Sequence, residues 1–206
     1  MTILPTAYLP SIEYFARLIY DDDARIDLGE NYVKRSLRNR AQIMTAAGVM
    51  ELSVNVRNAN RPRMAISTVE IDYTKRWQHQ HWLAIVSAYK SSPFFDHYAP
   101  FFEPIFSAQY ERLVDLNFAI IKLVIKLLGV KIDLDVKISN EYITAHDGDI
   151  DLRPRRRNEA GSHSFEHEPY IQVFYDRQEF VPNLSILDLL FNEGTNSVAV
   201  LEASRR

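Results

Sequence analysis

Residues 3–28 read ILPTAYLPSIEYFARLIYDDDARIDL, and this stretch decides the fold class. An apolar run at residues 3–9 stops at Pro10-Ser11. Ser11 is placed to cap a helix on which Ile12, Phe15 and Ile19 recur at helical spacing. The acidic turn Asp21-Asp22-Asp23 then leads into Ala24-Arg25-Ile26-Asp27-Leu28, which has the composition of a second strand. Strand, helix and strand in that order make a βαβ unit with parallel strands and a right-handed crossover. The expectation is therefore an α/β protein with a mixed sheet, a parallel βαβ start and helices on both faces.

The chain has 206 residues, 47% of them hydrophobic, enough for one core, and no linker-like composition or repeat divides it. A single domain over residues 1–206 follows. The absence of cysteine removes disulfides, thiolate zinc sites and cysteine nucleophiles together. No basic residue precedes Arg17 and two prolines fall before it, so the start resembles neither a secretory signal nor a transit peptide, and a cytoplasmic setting is expected. With a pI near 6.1 there is no global field to attract nucleic acid, so any anion must be held by local clusters.

Beyond the first unit, residues 41–45 and 50–56 flank an Ala-Ala-Gly turn, which predicts a hairpin with one wet face. Alternation predicts short strands at residues 69–74 and 130–138, and residues 170–175 read as a further strand. Trp82, Ile85, Val86 and Tyr89 fall at i, i+3, i+4 and i+7 of one helix. Residues 111–128 form another, interrupted by Lys122 and Lys126 before reaching membrane-spanning length and closed by Gly129. A last helix starts at Ser185, with Asp188 reaching back to its cap and Gly194 ending it. Residues 146–168 read as a long charged loop.

His163-Ser-Phe-Glu166-His167 spells H-x-x-E-H, but Gly161 and Pro169 crowd the two-turn helix that zinc ligation would need, so no metal is expected. Asp147, Asp149 and Asp151 alternate like calcium ligands without the glutamate that would complete such a loop. Arg153 and the arginines at 155–157 could neutralise that acidic turn or hold an anion, surface charge being the default. No Walker loop, G-x-G-x-x-G or G-x-S-x-G occurs, and no motif points to a particular cofactor.

Phosphate or carboxylate would then have to be held by side chains, and residues 34–40, KRSLRNR, carry four positive ones. Were this stretch extended, Lys34, Ser36, Arg38 and Arg40 would share one face. They could grip a small anionic or phosphorylated ligand, or pair with Glu30 and the aspartates at 21–23. His81, four residues beyond Trp77 on its helix, could act as a general base or serve as a hydrogen-bonded core residue.

Four stretches resemble the WbqC-like family: TAYLPSIEYFARLI, ENYVKRSLRNRAQI, the run from Trp77 to Phe95 that ends AYKSSPFF, and PYIQVF followed by FVPNLSILDLLFNEG. Arg35, Leu37 and Asn55 depart from the pattern, standing where a glutamine, an aromatic and a proline are more usual. The resemblance implies a setting near surface-polysaccharide (O-antigen) genes, carries over no catalytic residues, and groups His81, Arg38-Asn39-Arg40 and Tyr170-x-Gln172 as one signature. With Tyr8 and Tyr89 these would line a shared cleft at the LPTAYLP turn, where a parallel strand ends. The expected function is a transferase modifying a sugar or other small anionic substrate in surface-glycan assembly, His81 acting as its catalytic group and Lys34, Arg38, Asn39 and Arg40 as anion-binding residues. The alternative is a binding module for an anion, nucleic acid included, without turnover.

Overall fold

The computed structural model describes residues 1–153 and 165–204. In chain order its elements are β1 (Thr2–Pro5), α1 (Ile12–Tyr20), β2 (Ala24–Asp27), β3 (Arg40–Thr45), β4 (Gly48–Ser53), α2 (Trp77–Tyr89), α3 (Phe95–Ser107), α4 (Leu113–Leu128), β5 (Ile138–Ser139), β6 (Ile150–Asp151), α5 (Ile186–Glu193) and α6 (Ser197–Ala203). The α/β class and the βαβ start hold. β1 and β2 pair in parallel from Thr2↔Ala24 to Pro5↔Asp27, with α1 between them in sequence. β6 adds to the free side of β1 and β5 to that of β2, giving a parallel order β5-β2-β1-β6. β3 and β4 form a separate antiparallel hairpin, so the mixed character is divided between two sheets.

Ser11 caps α1 as its position predicts, its hydroxyl accepting from the Tyr14 N–H, and Gly129 closes α4 in the left-handed conformation that glycine adopts at low cost. β1 stops at Pro5, short of the predicted Leu9, so residues 6–10 become the turn between β1 and α1. Buried side chains from Leu4 to Leu201 form one continuous apolar cluster. No helix of the described residues is long and apolar enough to cross a membrane.

Three predicted strands do not form. Residues 69–74 make only isolated bridges, Val56↔Ile71 and Glu70↔Arg112. Of residues 130–138 only Ile138 enters a strand, because just the Ile138–Ser139 pair meets the edge of β2. Residues 170–172 are irregular and 173–175 enter a turn, with side-chain bonds from Tyr170 and Gln172 described below. Conversely, the expected loop at 146–168 contributes β6 and the buried residues Leu152 and Arg153, while its residues 154–164, including Gly161, His163 and the arginines at 155–157, lie outside the described residues.

Candidate functional site

A cleft opens where β1 ends. Its walls are residues 7–11 of the turn, Glu13 and Tyr14 of α1, residues 35–37, Arg40 and Gln42 of β3, Glu51 of β4, Leu152 beyond β6, and residues 182–183 with Ser185 before α5. They bound a cavity of about 80 Å³, measured as the space open to the centre of a water molecule, which continues into open solvent. The carboxyl end of a parallel strand is where open α/β sheets hold their ligands. Of the five non-glycine residues with positive φ among the described residues, three, Leu9, Arg35 and Asn183, lie in these walls. Backbone conformations of that kind are costly and gather at functional sites.

The head of α1 offers no free amide to this cleft. The N–H of Ile12 donates to the Leu184 carbonyl at 3.1 Å and that of Phe15 to the Ser11 carbonyl at 3.2 Å. The N–H of Glu13 donates to Asn183 Oδ1 at 3.0 Å and that of Tyr14 to Ser11 Oγ at 3.4 Å. Recognition is thus left to side chains. Arg40 donates through one terminal nitrogen to Glu51, and its Nε has no partner among the described residues. The hydroxyl of Tyr14, a fully buried residue, also has no partner among the described residues.

The stretch 34–40 is not extended. Arg35 has φ of 55°, the chain turns, and its side chains part company. Arg35, Ser36 and Arg40 reach the cleft, whereas Lys34 is exposed and bonds Asn60. Arg38 is 1% exposed and fully engaged. Its Nε donates to Glu30 Oε1 at 2.8 Å, a terminal nitrogen to Glu30 Oε2, and the other to Ser36 Oγ and the Arg153 carbonyl. Of the two roles open to it, Arg38 therefore takes the pairing with Glu30, itself only 3% exposed, and not the grip on a ligand. Burial pushes the Glu30 carboxyl above the ordinary range while the Arg38 guanidinium pulls it back. Asn39 is buried and donates to the Val54 carbonyl at 3.1 Å.

Beside this pair, Arg153 leaves the surface role read for it. It is buried, donates to Asp27 and Asp151 at the ends of β2 and β6, and lies 4.8 Å from the ring centre of Tyr142. Asn117 of α4 ties the arrangement to the β1 turn, donating to Thr6 Oγ1 at 3.2 Å and to the Arg38 carbonyl at 2.9 Å.

His81 does not line the cleft. It is 7% exposed, its Nδ1 shares a 2.8 Å hydrogen bond with the Tyr8 hydroxyl, and its ring meets Trp77 edge-on at 5.2 Å. Burial lowers its pKa to about 4, so it is neutral at pH 7. What it does here is hold Tyr8, a cleft residue, against α2.

Tyr89, Tyr170 and Gln172 gather around Asp188 on α5. Tyr170 donates its hydroxyl proton to Asp188 Oδ2, and Gln172 Nε2 donates to the same oxygen at 3.0 Å. Gln172 also clasps Val181 through both backbone groups, at 2.8 and 2.9 Å, and the Tyr89 hydroxyl accepts from the Met44 N–H at 3.1 Å. Asp188 therefore does not reach back to Ser185, whose hydroxyl alone accepts from the Leu187 N–H. Tyr170 and Gln172 wall a second hollow with Phe174, Tyr175, Arg177 and Phe180. The shared cleft expected for the signature is thus divided, Tyr8 and Arg40 on one side and Tyr170 and Gln172 on the other, while Lys34, Arg38, Asn39, His81 and Tyr89 wall neither hollow. Tyr14, Glu51 and Asn183 were missed, since nothing local in the sequence marks them.

The sequence profile of the WbqC-like protein family matches residues 6–161 and 139–200. The chain belongs to the WbqC-like protein family. An uncharacterised protein of Mycobacterium tuberculosis is 26% identical over 233 aligned positions, spanning 100% of this chain and 99% of its own length. No solved structure matches. In this WbqC-like chain the stretches TAYLPSIEYFARLI, ENYVKRSLRNRAQI and FVPNLSILDLLFNEG converge on the cleft, each contributing wall residues. The fourth, from Trp77 to Phe95, packs behind it through the Trp77, His81 and Tyr8 rings.

Proposed function

We propose that the cleft at the end of β1 binds a small ligand carrying an oxyanion, and that the protein is a transferase acting on such a sugar or sugar-like substrate in surface-glycan assembly. The observation that carries the binding half is Arg40, a cleft-wall residue whose Nε has no partner among the described residues. The convergence of three resemblance-bearing stretches on that cleft supports it. The transferase half leans on the polysaccharide setting that the family resemblance implies and on the carboxylates Glu13 and Glu51 in the same walls, groups able to move a proton. The withdrawal of His81 from the cleft favours a second reading, recognition without turnover.

Calorimetric titration with glucuronate, sugar 1-phosphates and nucleotide sugars, followed by mass spectrometry of mixtures of donors and acceptors, tests both. Binding of at least one of these acids is expected, weakened at least tenfold by Arg40→Ala, with the melting temperature within a few degrees of wild type. Unchanged affinity in Arg40→Ala would refute the binding half. Tight binding with no new product across the panel would select the second reading.

A further inference from the structure

We infer that Tyr14 is the residue that sorts ligands in this cleft, its hydroxyl donating to the same oxyanion that Arg40 Nε meets, so that the ligand presents a carboxylate or phosphate-ester oxygen at the head of α1. The inference rests on the binding reading above and adds to it a second donor and the class of group received.

Buried polar atoms are nearly always hydrogen-bonded, and an exception calls for a missing partner. Among the described residues, two such atoms able to donate belong to the walls of one cleft: the Tyr14 hydroxyl, on a side chain 0% exposed, and Arg40 Nε. Arginine can only donate. Burial, together with the nearby Glu30 charge, raises the Tyr14 pKa far above the ordinary phenol value, so this hydroxyl keeps its proton and can donate too. Two donors without acceptors, side by side in chemistry, select an acceptor-rich group.

Neutral hydroxyl ligands could accept as well, and charge decides against them. Glu13 is paired with Arg17 and Arg40 with Glu51, which leaves Arg35 as the cleft cation without an ion pair among the described residues. The walls themselves hold two arginines and two glutamates, and with Glu13 neutralised from outside by Arg17 the charge left to face a ligand is that of Arg35, complementary to one negative charge. Because the first four amides of α1 are already satisfied, the helix end cannot supply the recognition in place of Tyr14.

The experiment is calorimetric titration of the full chain with inorganic phosphate, glucose 1-phosphate, glucuronate and neutral glucose, in wild type, Tyr14→Phe and Arg40→Ala, with melting temperatures of the free proteins. Tyr14→Phe keeps the ring and removes only the hydroxyl. It is expected to weaken glucuronate or glucose 1-phosphate binding at least tenfold while leaving the free protein as stable as wild type or more so. Which of the two acids binds identifies the carboxylate or the phosphate ester as the source of the oxyanion. Equal affinity in Tyr14→Phe, with Arg40→Ala impaired, overturns the role of Tyr14 and leaves the cleft reading standing. A fall in melting temperature in Tyr14→Phe would place the hydroxyl's partner inside the fold and overturn it as well. Binding of glucose as tight as that of the acids would overturn the charge argument, and no binding of any acid by wild type would end both readings.

Discussion

Arg38 and Arg40 stand two positions apart in a stretch whose charge density invites one explanation for both, and their surroundings separate them. Arg38 is enclosed with Glu30, so removing its guanidinium strands a carboxylate in the interior. Breaking a buried pair in this way costs about 3–5 kcal/mol, whereas a partly exposed pair such as Arg40 with Glu51 is worth about 1 kcal/mol or less. Arg38→Ala is accordingly expected to lose several kcal/mol in urea denaturation and Arg40→Ala to stay close to wild type. A loss of under 1 kcal/mol in Arg38→Ala would show that Glu30 finds water or another cation.

His81 makes a pH prediction at the same scale. Its pKa is about 4 in the folded chain and near 6.5 when unfolded, so the unfolded state binds the extra proton between those values. The stabilisation is complete above pH 6.5 and is lost as the pH falls towards 4, by an amount on the order of 3 kcal/mol. In wild type the folding free energy should therefore decline through this window, and His81→Gln should flatten the decline. A variant profile parallel to that of wild type would assign the acid sensitivity elsewhere.

At the level of elements, α5 shows how a correct boundary can accompany a wrong role. Ser185 and Gly194 bound the helix as their positions predict, but Asp188 turns away from the cap to receive Tyr170 and Gln172. Asp188→Ala should then cost about 3 kcal/mol, since two buried donors lose a charged acceptor, instead of the roughly 1 kcal/mol of a cap. Hydrogen exchange should reveal the Val181 amide opening faster in that variant, because the Gln172 clasp that holds it is no longer anchored. Unaltered exchange there would mean that Gln172 holds the loop without Asp188.

The same scale explains the strands that did not form and the helix that did. Alternation such as that at residues 69–74 and 130–138 is compatible with any chain that dips side chains inward, and a strand needs an edge to join. Residues 95–107 contain Pro100 and Pro104, which argue against a helix, yet α3 forms because Phe95, Tyr98, Phe102, Ile105 and Phe106 fall on one buried face. Packing outweighs the missing donors.

For the molecule as a whole, short-range chemistry was enough for the α/β class, the βαβ start, the Ser11 and Ser185 caps and the glycine closures at 129 and 194. Each depends on residues within a few positions, where propensity and hydrogen bonding act directly on the backbone. The convergence of the β1 turn, residues 35–42 and the segment before α5 on one cleft brings together groups as far apart in sequence as Glu13 and Asn183. Only the tertiary structure decided that Arg38 is buried against Glu30 while Arg40 faces the cleft, that His81 serves Tyr8, and that the Tyr14 hydroxyl finds no partner among the described residues. Burial and partner choice are set by which distant segments close around a side chain, and that information is not carried by the residue type or by its neighbours in the chain.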